Sequence, residues 1–141
     1  LRRRRIVLVL VVPLLLALAA CNPVMQLDAI TRVNETRTAL GRHPLRVTDE
    51  LTRKALLVAD HLAEIGRLEH SPDLAAGITG PYGRLGENVG YGSSVEQIHA
   101  SLLHSPEHFS IMIDPRYTEI GIGITVGADG TVYEVQEYKG P

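Results

Sequence analysis

An α+β fold is predicted by three observations on this 141-residue chain. Apolar residues recur at helical spacing in the first half, and strict alternation marks Ile120 to Val126 near the end. Between them runs a glycine-punctuated stretch with neither period. The first helical segment carries Leu27, Ile30, Val33 and Leu40, with Gly41 as its stop. The second opens at Thr48, a good N-cap, with Asp49 and Glu50 in the first turn where the helix dipole favours acids. Leu51, Ala55, Val58, Leu62 and Ile65 trace its stripe, and Gly66 closes it. From Glu69 to Ser93 there are six glycines and two prolines, and the sequence predicts a long loop there.

Helical pattern resumes at Ser94, with Gln97 three residues on as a capping box and Ile98, Ser101 and Leu102 along one face. Ser105 then reads as a second N-cap, with Pro106 at the first helical position and Glu107 in the first turn. In "TEIGIGITV", Ile120, Ile122, Ile124 and Val126 alternate as one buried face of a strand. The intervening Gly121 and Gly123 allow close packing on the other face. "GADG" reads as a hairpin turn and "TVYEVQEY" as the returning strand.

The first twenty residues read as a leader rather than as part of the fold. Four arginines precede an apolar run from Ile6 to Ala20, which is shorter than the roughly 20 residues a spanning helix needs and contains Pro13. "LAAC" at 18–21 resembles the lipobox of bacterial lipoproteins, which implies cleavage before Cys21 and lipidation of its sulfur. Cys21 is the sole cysteine, so no internal disulfide forms, and lipidation accounts for a lone cysteine in an exported chain. The expected organisation is a lipoprotein signal peptide over 1–20, a short tether over 21–26 and one domain over 27–141. The expected location is extracytoplasmic, held to the membrane through Cys21. Without the leader's four arginines, ten basic residues face sixteen acidic ones, a net of −6. That balance, with one Phe and no Trp, argues against nucleic acid as a partner.

Six histidines are the candidate chemistry. His43, His61 and His99 read as surface residues. His104 and His108 have the i,i+4 spacing of a metal clamp, but Pro106 between them breaks the helix. His70 stands where the long loop begins.

"LGENVGYG", followed by "SPEHFSIMIDPRYTEIGIGI", resembles the bacterial branch of the CAP superfamily, which groups cysteine-rich secretory proteins, antigen 5 and pathogenesis-related proteins. The matching pieces are Gly86-Glu87-Asn88, Ser105 to His108, Met112-Ile113, Asp114-Pro115 and Tyr117 to Gly123. Asn34 and Arg37 fall at the family's Asn-x-x-Arg positions, and Val135-Gln136 in its last strand. The resemblance implies an α-β-α sandwich around a central antiparallel sheet, with a cleft. In better-studied members that cleft holds two histidines and two glutamates, and the histidines can bind a divalent ion. Here His70, Glu87 and His108 take three of those places, and Ser105 stands where the other glutamate would be. Leu102, Phe109 and Ile111 also depart from the family's usual residues.

The cleft residues expected on this basis are His70, Glu87, Asn88, Ser105 and His108. His70, His108 and Glu87 are the expected ligands of Zn or another divalent cation. Glu87, between glycines, reads as the inward-facing group and Asn88 as its structural support. Two readings of the three residues stand: a site for a metal or ligand, or a buried cluster that pins the loop. For function, the first expectation is a non-enzymatic module binding a small ligand, lipid or envelope component. The competing one is a metal-dependent hydrolase or protease with Glu87 as its base.

Overall fold

A computed structural model describes residues 22–141; Cys21 and the expected leader lie outside the described residues. Eight elements follow in chain order: α1 (Pro23–Ala39), β1 (Arg46–Val47), α2 (Asp49–Ile65), β2 (Arg84–Gly92), α3 (Val95–His104), α4 (Pro106–Met112), β3 (Glu119–Val126) and β4 (Val132–Gly140). The strands form one sheet in the order β1-β3-β4-β2. All pairings are antiparallel except the two-residue β1 beside β3, so the central sheet is mixed. Helices flank both faces, and the expected α+β sandwich is the fold.

The helix starts follow from their caps. The Asn22 side chain accepts from the Met25 amide, and Pro23 sits where no amide is needed. Residues 23–26, expected as a tether, are therefore the first turn of α1. Ala29, Val33 and Arg37 form its buried line, whereas Leu27 and Leu40 are exposed, contrary to expectation. Thr48 caps α2 as predicted, and Gly66 ends it in the left-handed conformation at φ 66°. Ser94 caps α3 by accepting from the Gln97 amide, while the Gln97 side chain accepts from Ser93 instead of Ser94.

Two apolar cores lie on opposite faces of the sheet. Ile120, Ile122, Ile124 and Tyr138 pack with Val33, Ile98, Leu102 and Met112 from α1, α3 and α4. On the other face Val89, Tyr133 and Val135 meet Ala55, Ala59 and Leu62 of α2. The close approach anticipated at Gly121 and Gly123 is made by α2: a Cβ at either glycine would fall within the α2 backbone.

The largest departure from expectation is β2, which takes up the last third of the predicted loop. Its residues pair with β4 from Arg84↔Gly140 to Gly92↔Val132. Gly86 and Gly90 are not in the left-handed region. They are glycine because a Cβ would collide with the Tyr117 ring or with Ile98.

β4 carries polar groups into the first core. Tyr138 donates to Gln136 Oε1 (2.6 Å), and Gln136 Nε2 donates to Glu134 Oε1 (2.7 Å). Among the described residues Glu134 Oε2 has no hydrogen-bond partner, and burial pushes the carboxyl up to about 7. A carboxyl raised in the folded state keeps its proton there while the unfolded chain loses it. Stability should therefore fall as pH rises from about 4.5 to about 7. Glu134→Gln keeps the acceptor for Gln136 and removes that loss. Urea midpoints should show the variant gaining roughly 2–3 kcal/mol over the parent at about pH 8 and little at about pH 4.5.

Candidate functional site

The free edge of β2 gathers the candidate residues from three elements. Glu87 points to the α2 face, opposite Glu137 in the register, and its side chain is 1% exposed. Asn88, the next residue, points to the opposite face and is fully buried. Its Nδ2 donates to the His108 carbonyl (3.1 Å) and to Gln136 Oε1 (3.2 Å). Asn88 is thus a support, as expected, but it ties α4 to the sheet and does not itself line the groove. His70 and Ser71 follow α2 and come down on Glu87. The carboxylate accepts from His70 Nδ1 (2.8 Å), from the Ser71 amide (2.9 Å) and from the Ser71 hydroxyl.

His108 arrives from the other side of the edge, in the first turn of α4. Its Nδ1 lies 2.7 Å from Ser105 Oγ. Ser105 takes the N-cap position, but its hydroxyl makes no capping bond because it is committed to that imidazole. The rings of His70 and His108 stack with centroids 6.5 Å apart and 28° between planes. Both histidines are therefore anchored through Nδ1, which leaves Nε2 as the nitrogen each can offer. The structure thus brings His70, Glu87, Ser105 and His108 together.

The electrostatics set the protonation states. Burial pushes the Glu87 carboxyl up, but the Ser71 donors, His70 and Glu137 outweigh it and hold it below its ordinary value. Burial, with His70 beside it, lowers His108 and favours the neutral imidazole. Glu137 is pushed up to about 7 by burial and by its neighbour Glu87, despite an ion pair at 2.7 Å with Lys54. Lys54, Glu137 and Ser71 complete the cluster, and sequence reading passed over all three. Lys54 carried a signal: it is a charge on the apolar stripe of α2, three residues after Leu51.

Among the described residues, no group of three or more His, Cys, Asp or Glu side chains is set to hold a metal ion. The reason is visible at Glu87, whose two oxygens already serve His70 and Ser71. The expectation of Glu87 as a third ligand gives way to a carboxylate that orients a histidine. Two other histidines differ from expectation or stand apart. His99 is buried, not on the surface, and lies 3.1 Å from Thr36 Oγ1. His104 Nδ1 contacts the Ala100 carbonyl within α3 and takes no part in the site.

A groove of about 710 Å³ runs along the edge from this cluster. Leu68, Val89, Tyr91, Ile98 and Leu102 supply its apolar walls, and Ser105 and His108 close one part of it. No helix among the described residues is long and apolar enough to cross a membrane.

Solved structures share this architecture. An outer surface protein from Borrelia burgdorferi superposes with a TM-score of 0.73 at 18% identity, covering 80% of this chain and 90% of that one. An extracellular protein containing an SCP domain from Bacillus anthracis gives 0.72 at 17% identity. It covers 84% of this chain, which spans only 41% of that one. NaASP2, solved with Zn2+, gives 0.62 at 13% identity, covering 84% of this chain and 80% of that one. Comparison with curated protein sequences yields no significant match. The model of the CAP, or cysteine-rich secretory protein, family matches residues 30–138, a span that contains every element from most of α1 to β4, and to that family this chain belongs.

Proposed function

We propose that this is an extracytoplasmic CAP-domain protein, anchored by a lipid on Cys21, whose cleft binds a ligand or a divalent cation without turnover. The observation that carries the reading is the pair of imidazoles, each fixed through Nδ1 and stacked across the sheet edge beside an open groove. The Glu87 carboxylate orients His70 and the Ser105 hydroxyl orients His108, and imidazole nitrogens fixed in this way are good donors for a borderline-soft ion. A two-histidine donor set fits a weakly held ion whose remaining positions are filled by water or ligand, and does not fit a closed four-ligand structural site. Nε2 of His70 and Nε2 of His108 would hold it, and the ion would supply a Lewis-acidic grip on a ligand oxygen. The Zn2+ found with NaASP2, a chain of the same fold, supports that choice of probe. Hydrolysis is the weaker reading, because the base it needs, Glu87, is already engaged by His70 and Ser71.

Titration of the full domain with zinc, followed at the imidazole NMR signals, tests the proposal. His70 and His108 should shift together while His43 and His61 stay still. Glu87→Gln, which loosens His70, should weaken zinc by about 10–100-fold. His108→Ala should remove the response at His70. Unmoved signals at both rings would leave the cluster as a pin that fastens the loop to the sheet. An unmodified Cys21 in the membrane fraction, read by mass spectrometry, would overturn the anchor.

A further inference from the structure

The sheet fixes which backbone groups of β2 face outward. Thr48 donates to the Ile120 carbonyl, so the even-numbered residues of β3 turn towards β1; Thr118, just before the strand, is split, its carbonyl taking Arg46 and its amide going to Lys139 of β4. Odd residues of β3 therefore turn towards β4, where the register pairs them with odd residues. Even residues of β4 are left for β2, and the register pairs those with even residues. It follows that Leu85, Glu87, Val89 and Tyr91 direct both N–H and C=O away from the sheet. The Tyr117 hydroxyl confirms the parity by donating to the Leu85 carbonyl (3.1 Å).

Both ends of this edge are covered. Tyr117 takes Leu85 at one end, and just past the other end the Gln97 side chain accepts from the Ser93 amide (2.7 Å). The middle is open. Among the described residues, Val89 and Tyr91 make no backbone hydrogen bond beyond the ladder. Both line the 710 Å³ groove, whose floor there also includes Gly90 and Gly92. Folded proteins ordinarily cover or blunt such an edge, because unpaired backbone groups are a template for another strand.

We infer that the groove takes an extended polypeptide segment, added as a fifth strand against Val89 and Tyr91. This rests on the reading of the groove as a binding cleft and names the class of its ligand. The two open residues are one strand repeat apart, about 6.6–6.8 Å, the spacing at which an extended peptide offers its own outward groups. Side chains of the added strand would alternate between Leu68 and Tyr91 on one side and Ile98, Ser101 and Leu102 on the other. Among the described residues of the lining, Asp129 and His108 are the only ionisable groups apart from Tyr91, so the walls suit a largely uncharged peptide with small or apolar residues.

Amide hydrogen exchange on the full domain tests the edge first. Val89 and Tyr91 should exchange far faster than Asn88 and Gly90; equal protection would overturn the inference. The binding probe is a pool of blocked peptides alternating Val with Ser or Thr, with affinity and exchange both measured. Bound peptide should protect Val89 and Tyr91, and N-methylation of the peptide at one parity should weaken it by about tenfold while the other parity is silent. Tyr91→Pro, which deletes an outward N–H that the ladder does not use, should stay folded and lose binding by a similar factor, whereas Tyr91→Ala should keep most of it. A pool without binders, or binding indifferent to N-methyl parity, would overturn the inference even with zinc still shifting both histidines. Conversely, strand addition with unmoved histidines would remove the metal and leave the peptide.

Discussion

Replacing Gly121 with valine should leave the chain without a stable fold. The α2 helix lies so near β3 that a Cβ at Gly121 would coincide with the backbone of Leu51 and Thr52, and backbone atoms of a helix cannot swing aside as a side-chain end can. Relief requires α2 to lift off the sheet, uncovering Leu51, Ala55, Ala59 and Leu62, all fully buried. Overpacking of this kind is expected to cost more than about 4 kcal/mol, a large part of a domain's whole stability. Loss of dispersed amide signals and of a cooperative thermal transition would report it. Gly130→Ala is the matched control: its φ of 85° strains alanine, but nothing lies within reach of the new methyl. That change should cost only about 1 kcal/mol.

Arg37→Ala should be nearly as severe, by a different route. The guanidinium, 1% exposed, donates to four carbonyls: His43 (2.9 Å), Met112 (2.7 Å), Asp114 (3.1 Å) and Tyr117 (3.3 Å). Those carbonyls belong to the turn after α1, to the last residue of α4 and to the segment between α4 and β3, so one side chain fixes both connections against α1. Truncation leaves them unsatisfied around a cavity, at an expected cost of about 3–5 kcal/mol. Arg37→Lys keeps a charge but lacks the planar fork, and should recover only part of the loss. Urea unfolding at constant m-value would separate the three proteins.

The elements legible in the sequence were those whose signal is local. Thr48, Gly66 and the Ile120-Ile122-Ile124 alternation each announce themselves within a few residues, and the structure uses each in that way. β2 had no such signal. Glu87 and Asn88 point to opposite faces and both are buried, so hydrophobicity does not alternate along it; its strand identity comes from β4, some fifty residues away. Similarly, β1 is two residues long and exists only because β3 offers an edge. At the site, resemblance supplied His70, Glu87 and His108. It could not supply Lys54 and Glu137, which meet only once α2 is laid across the sheet. Ser105 shows the limit of local rules: the residue type and position are those of a cap, and the hydroxyl goes to an imidazole instead. Arg37 read as a family position and is in fact a fully buried bracket between loops.

Asn22 begins the first helix one residue beyond Cys21. A lipid on that sulfur would leave a backbone leash of a single residue, about 3.8 Å from Cα to Cα, with only the cysteine side chain added to it. Such a molecule would ride on the bilayer surface, with little room to tumble, and would meet its ligands by lateral diffusion among neighbours instead of by reaching out from a stalk.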